Sequence, residues 1–353
     1  MAAGDPIQEA VSAEGLARRV AACQPDATVR LAVIANPRAR RLQRAGKRLA
    51  LASLVGAPLY AETRDLASLH RAVARLVAEQ GANVLAIAGG DGSLHHAVNA
   101  LWQLAQQTQR VTGELPPWPR ILILNGGTLN IVGRSVAIHG PPEETLRQFL
   151  GDFGQGPLSR VPVRPVPMLQ VRWQDEAPRL GFVFGSALAY HALDLYARFG
   201  AGYLGLSRFL LEFGRGALFG SALWRQEAWK LGPYADLEID GRRWPSYAGV
   251  AAVTADLTLA IGAVRAIRRP LGAPGFAVRV VEETQPRKLV HLLPALMSER
   301  GGPGLVDLPV VHRMRLSGPY TLDGECFHAP APHAPLLVER FPAALPVVPA
   351  TDR

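Results

Sequence analysis

Two short turns constrain this chain more than any other feature. "NVLAIAGGDGSLHHAVNAL" passes from an apolar run through Gly89-Gly90-Asp91-Gly92 directly into Leu94, Val98, Leu101 and Leu104 at helical spacing. "RILILNGGTLNIVGRS" repeats the plan, with Gly126-Gly127-Thr128 after an apolar run and Asn130 and Arg134 beyond it. Each reads as a buried strand, a glycine turn and a helix. "VRLAVIAN", "APLYAET" and "RDLASLHRAVARLVAEQG" extend the alternation upstream. Strand and helix in alternation predict a parallel sheet with helices on both faces.

The glycines leave the main chain bare, so backbone amides can approach a ligand closely. A helix that begins near Ser93 aims its unpaired amides and its positive dipole end at the same point. Ligands of open α/β sheets collect at the carboxyl ends of strands. Together these features predict a phosphate cradle. A carboxylate there is explained if Asp91 helps to hold Mg²⁺ or takes a proton from an attacking hydroxyl. Taken alone, the stretch also reads as a tight turn with Asp91 as a helix cap. Two such turns on neighbouring strands can hold a triphosphate between them. Neither turn is a Walker A loop or a Gly-x-Gly-x-x-Gly fingerprint.

Residues 1–25 read as a helical lead-in. Residues 26–155 read as the α/β nucleotide domain, with "PRARRLQRAGKRLA" as a basic loop after the first strand. The texture then changes. Residues 156–337 hold short strands separated by turn signals, among them Asp240-Gly241, and read as a mostly antiparallel β-rich domain. A helical stretch from about Leu195 to Trp224 interrupts them, with Arg208, Glu212 and Arg215 on one face. Residues 338–353 form a final segment. At roughly 150 residues per domain, 353 residues suit two domains.

Lys and Arg outnumber Asp and Glu by 38 to 29. The excess suits phosphorylated ligands or an anionic membrane surface. Nucleic-acid binding has no aromatic-interleaved basic motif behind it. Cys23 and Cys326 give no disulfide framework and no metal-ligand spacing, as expected of a reducing cytosol. No secretory leader and no apolar run of about 18 residues is visible, so membrane contact is expected to be peripheral.

The two glycine turns resemble the Gly-Gly-Asp-Gly and Gly-Thr-x-Asn loops of the diacylglycerol kinase catalytic-domain family, which includes sphingosine and ceramide kinases. Three further elements match in order: Asn36-Pro37 after the first strand, Thr63 after the second, and "LDGECF" from Leu322 to Phe327. The resemblance implies a phosphofructokinase-like three-layer α/β domain, a C-terminal β-sandwich that takes the lipid, and a final segment that returns to the first domain. It implies ATP, Mg²⁺, a lipid hydroxyl as acceptor, a peripheral membrane partner and the possibility of a homodimer. By resemblance Asn36, Thr63, Gly89, Gly90, Asp91, Gly92, Ser93, Gly127, Thr128 and Asn130 surround the nucleotide. Asp323 and Glu325 approach the γ-phosphate, with Glu325 or Asp91 as the base.

The family pattern is broken in places. His96 stands where a Glu is common, Ile131 where an Asp or His is common, His191 where a Gly-x-Asp step ends, and Pro274 where an Asp belongs to a metal site in some bacterial members. These departures leave a divergent lipid kinase, or a regulator that binds nucleotide or lipid without turnover. An NAD kinase-like enzyme shares the Gly-Gly-Asp-Gly turn, but its second signature, an Asn-Glu pair in the later half, is not found, and the Asn-Pro opening and the "LDGE" ending favour a lipid kinase. The sequence does not separate diacylglycerol, ceramide and sphingoid bases as acceptors.

Overall fold

The computed structural model describes residues 12–127, 130–174, 176–197, 208, 211–212, 215, 220, 233–254, 257–259, 264–267, 272–285, 288, 292–296, 298, 301–328 and 334–350. The chain divides into two compact units, Met1–Val166 with Ala344–Arg353, and Pro167–Ala343. The first division falls at Val166 rather than at residue 155. The last segment joins the first unit from Ala344 rather than from residue 338.

In the first unit, β1 (Leu31–Ala35) pairs in parallel with β2 (Tyr60–Glu62) on one side and β3 (Val84–Gly89) on the other. β3 pairs in parallel with β4 (Arg120–Asn125). The end of the last strand, Leu336–Val347, adds Val347 opposite Ile121 of β4. β1 and β3 are buried along their whole length, as a sheet covered on both faces requires. Leu31, Val33, Ala35, Val84, Ala86, Ala88, Leu122 and Leu124 share one core with Leu51 and Leu146. After α1 (Ala13–Ala22) at the start of the unit, Leu51 lies on α2 (Ala45–Val55) and Leu146 on a helix spanning Pro142–Phe153. On the other face lie α3 (Leu66–Val73) and α4 (Asp91–Thr112), which contact each other, and α4 contacts β3. This is the three-layer α/β arrangement that the alternation predicts.

Two local readings change. The stretch read as a basic loop contains a 3₁₀ turn, Arg40–Leu42, and then α2. The cations masked a helix whose second half, "LALASLV", is a run of good helix formers with Leu51 fully buried. The helix after β2 continues past Val73 as one π-helical turn, Ala74–Glu79, before Gly81 ends it with φ +66°.

The second unit is a sandwich of two sheets over one core. Six antiparallel strands form one sheet, with Val183–Ala187, Gly249–Val253 and Phe276–Val281 central to it. Arg313–Leu316 lies between Leu336–Val347 and Leu237–Ile239 in the other. Phe184, Val250 and Val278 from the first sheet share a cluster with Ile239, Met314 and Val338 from the second. The Asp240-Gly241 hairpin forms as read, with φ +47° and +84°. The expected helix from Leu195 to Trp224 lies mostly outside the described residues. Arg208, Leu211, Glu212 and Arg215 are helical, and a helix already starts at Leu188 and runs to Ala197.

A clasp with a buried arginine fixes one edge of this unit. The Arg279 side chain is 4% exposed; its Nη2 donates to Asp307 Oδ2 at 2.9 Å, and its Nη1 donates to the carbonyls of Leu296 and Ser298 at 3.1 and 3.0 Å. Asp307→Ala leaves that guanidinium buried without its carboxylate. Because Asp307 is itself 41% exposed, water partly replaces it and the expected loss is about 1–2 kcal/mol of unfolding free energy, measured by urea denaturation.

Candidate functional site

The two glycine turns touch main chain to main chain. Gly126 N and Gly127 N both donate to Gly89 O, at 2.8 and 3.1 Å. A Cβ built on Gly127 would stand 2.5 Å from Gly90 Cα, and one on Gly126 would stand 3.2 Å from Gly89 Cα. No side chain fits between them. The sequence assigned these glycines to ligand approach. The structure shows a prior need, because β3 and β4 end so close together that only glycine permits the contact. The amides of Gly126 and Gly127 are therefore spent on Gly89 O. The donors left to the cradle belong to the first turn of α4. There Leu94 N is the first to bond within the helix, to Gly90 O at 3.1 Å, so the amides of Gly92 and Ser93 precede the helical ladder.

Asp91 joins the two turns. It is the first residue of α4, and its Oδ1 accepts from Ile131 N at 2.7 Å. Ile131 opens α5 (Ile131–Ser135), so the carboxylate caps the helix that follows the second turn. The cap reading of Asp91 thus holds for a different helix from the one it begins. Asn130 sits in the left-handed region at φ +48°, which asparagine tolerates better than most residues. Its carboxamide bonds Gly127 both ways, accepting from N at 3.2 Å and donating to O at 3.1 Å. Thr128 lies outside the described residues.

The loop after β1 closes the third side. Asn36 Nδ2 donates to Ser93 Oγ at 2.9 Å, and Asn36 Oδ1 accepts from Arg38 N at 2.9 Å. A Cβ on Gly89 would collide with Ser93. Thr63 is buried, its amide donating to Ala35 O at 2.9 Å. Asn36, Gly89, Gly90, Asp91, Ser93, Gly127 and Asn130 are thus brought together by a connected set of bonds, while Thr63 is held at the end of β2.

Three residues of this assembly escape the sequence reading. Asn125 ends β4, is 5% exposed, and donates through Nδ2 to Ile138 O at 2.7 Å. Gly133 makes room for that carboxamide, since a Cβ there would collide with Asn125 Oδ1. Arg41 donates through its amide to Gly126 O at 3.1 Å and through Nη1 to Gly140 O at 2.8 Å. A polar residue closing an apolar strand was the available signal for Asn125. Arg41 lay within the stretch read as a basic loop, and nothing in the sequence marked Gly133.

The acidic hairpin is described within its own unit. Tyr320–Leu322 and Glu325–Phe327 pair across Asp323-Gly324, whose φ values of +54° and +90° suit a tight hairpin turn. Asp323 Oδ1 accepts from Phe182 N and Val183 N, both at 2.8 Å. Gly181 leaves space for it, because a Cβ there would lie 2.6 Å from Asp323 Oδ2. Asp323 is therefore a backbone clamp. Glu325 is half-buried at the start of its strand. Beside it, burial first and then Asp194 and Glu325 push the Cys326 thiol up, so it stays protonated at neutral pH. Burial, helped by Cys326 and Asp194, likewise raises the Tyr190 phenol, whose oxygen lies 3.2 Å from His328 Nδ1. His191 stacks on Tyr234 with ring centroids 6.1 Å apart.

Residues 30–155 match the diacylglycerol kinase catalytic domain family. Among solved structures the chain is similar to one from Bacillus anthracis str. Sterne described as a diacylglycerol kinase, at 12% identity and TM-score 0.56. It is also similar to two described as a "putative diacylglycerol kinase" from that organism, each at 14% identity, with TM-scores of 0.57 and 0.58. All three alignments cover 91% of this chain and 97% of the other. No curated protein sequence matches the chain.

Gly127→Ala forces the two turns apart and is expected to weaken ATP binding by at least about tenfold, read by calorimetry. Gly46→Ala is the control: its Cβ meets nothing within 4 Å. It should leave ATP affinity unchanged and stabilise α2 by about 0.5–1 kcal/mol.

Proposed function

With a diacylglycerol kinase catalytic domain at residues 30–155, the protein is a kinase of the lipid-kinase type, and we propose that it transfers the γ-phosphoryl group of ATP to the hydroxyl of a membrane lipid: diacylglycerol, ceramide or a sphingoid base. The observation that carries this reading is the contact of the two glycine turns through bare main chain, with a helix N-terminus opening beside them. Phosphoryl transfer asks a protein mainly for positioning and charge stabilisation, with little covalent chemistry of its own. The amides of Gly92 and Ser93 and the dipole of α4 supply the second, and the Asn36–Ser93 and Asn130–Gly127 bonds supply the first.

Among the described residues no three carboxylate, imidazole or thiol side chains gather to hold a metal. That suits Mg²⁺, which commonly binds through one or two carboxylates and the phosphates of the substrate. Asp91 is the carboxylate of the first unit that would hold it. Its Oδ1 is committed to the Ile131 amide, so the same side chain positions the second turn. When bound, the ion would screen the charge of the phosphates. Asp323 is clamped to Phe182 and Val183. Glu325 is then the acid of the hairpin assigned to take the proton of the lipid hydroxyl, a contribution of about 10²–10⁴-fold in rate. Among the described residues no helix is long and apolar enough to cross a membrane, so a lipid acceptor would be met at a surface.

Three experiments test this. The purified protein is incubated with labelled ATP, Mg²⁺ and a panel of diacylglycerol, ceramide and sphingosine, with NAD as a soluble control. Label on a lipid is expected; label on NAD alone, or ATP binding without any transfer, overturns the reading. Glu325→Gln should lower turnover at least about 10²-fold with ATP affinity unchanged. Asp91 separates its two roles: Asp91→Asn keeps an acceptor for Ile131 and should hold ATP affinity within a few-fold while turnover falls, whereas Asp91→Ala should lose both.

A further inference from the structure

By strand alternation Leu336, Val338 and Arg340 share one face of Leu336–Val347. Leu336 and Val338 are buried in the core between the two sheets of the second unit. Arg340 therefore brings a charge to the end of an apolar row, where a guanidinium must find partners. It finds them at the other sheet. Arg340 Nη1 donates to Pro274 O at 2.7 Å and to Ala273 O at 3.4 Å. Both residues stand just before Phe276–Val281, a central strand of that sheet. Among the described residues no carboxylate pairs with Arg340, and main-chain oxygens alone receive its N–H groups.

The two carbonyls are held in place. Ala273 is buried, and a Cβ on Gly275 would collide with Val311 O, so the turn presses main chain on main chain. Carbonyl oxygens gathered on one cation are also how a protein holds a divalent metal, with carboxylates added to balance the charge. That balance is absent at this turn. Pro274 stands where some bacterial members of the family carry a metal-site Asp, and it offers only its carbonyl. An open recess of about 410 Å³ lies beside it, and Glu339 is the carboxylate among the residues that line it. Glu339 is already committed: Oε2 accepts from Arg172 Nη2 at 2.6 Å and from Gln170 Nε2 at 3.3 Å, and Oε1 lies 3.8 Å from Arg313 Nε. A divalent ion at these oxygens would also meet the guanidinium that uses them. The donor set does not fit a metal; it fits the cation that the chain itself supplies.

We propose that Arg340 is the built-in cation of the second unit: its guanidinium takes the carbonyl oxygens of Ala273 and Pro274 that a bound metal would otherwise gather, and so ties that turn to Leu336–Val347 across the two sheets. A guanidinium stays charged at every working pH and is covalently held, so the tie does not vary with the supply of metal ions. The inference is independent of the lipid-kinase reading and of the acceptor. It also divides the uses of divalent ions, because any Mg²⁺ requirement of phosphoryl transfer then belongs to the nucleotide and not to the fold of the second unit.

The test is hydrogen–deuterium exchange of the nucleotide-free full chain, read at the peptide covering residues 272–281. In the unaltered protein, exchange there should be the same in EDTA, in Mg²⁺ and in Ca²⁺. Arg340→Met keeps most of the apolar stem and removes the donors. It should speed exchange of that peptide at least about tenfold, the loss expected of a hydrogen bond from a charged group. The peptide over Leu31–Ala35 in the first unit should not change, which separates a local release from general unfolding. Arg340→Lys, the milder change, should fall between the two, because an ammonium can donate to the same carbonyls; it carries the test where Arg340→Met does not fold. Slower exchange of the 272–281 peptide in Mg²⁺ or Ca²⁺ than in EDTA would reveal a metal at the turn and overturn the proposal. So would exchange in Arg340→Met, or in Arg340→Lys where that variant stands alone, that matches the unaltered protein.

Discussion

The first unit depends on one contact, the approach of Gly90 and Gly127 with no side chain between them. Two parallel strands spaced by backbone hydrogen bonds end at the same level, and their following turns must both clear the sheet edge. Glycine at Gly89, Gly90, Gly126 and Gly127 lets them do so by stacking main chain on main chain. Asp91 then bridges from one turn to the helix after the other. The consequence is mechanical as much as chemical: the amides that open beside the turns cannot move independently. A cradle for a highly charged tail benefits from this, because donors fixed in advance need no reorganisation when charge shifts during transfer.

The acids divide by environment. Asp323 accepts two backbone amides and is occupied with holding one strand to a hairpin. Asp91 gives one oxygen to an amide. Glu325, one residue past the hairpin turn, is half-buried beside a thiol and near a phenol that stay protonated at neutral pH. Three carboxylates that look equivalent in a motif thus have unequal scope for chemistry. Asp323 lies in the turn itself, at φ +54°, and Glu325 in the strand that follows, so a segment as short as Asp-Gly-Glu places two acids in different surroundings.

Much of this was legible in the sequence, for physical reasons. Strands buried on both faces must be apolar throughout, so "LAVIA" and "VLAIAG" announced themselves. Glycine pairs at their ends marked the turns, and Asp240-Gly241 and Asp323-Gly324 marked hairpins through the positive φ they require. What the sequence hid is of another kind. α2 was obscured because its cations and its small apolar stripe give little contrast between faces. The use of Gly126 and Gly127 amides for loop-to-loop bonds was hidden because it depends on Gly89, on a different strand far earlier in the chain. The room that Gly133 makes for Asn125 is likewise a fact of three dimensions.

The strand Leu336–Val347 begins in the sandwich and ends beside β4. The parallel sheet of the first unit therefore receives its last strand only after the whole second unit has been synthesised. Until then the outer edge of β4 stays unpaired, an open edge of the sort that invites non-native pairing. Folding on the ribosome cannot finish in the order in which the residues emerge. The first unit to be started is the last to be closed, and a chaperone shielding that edge would act on the amino-terminal half while the carboxyl-terminal half is still being made.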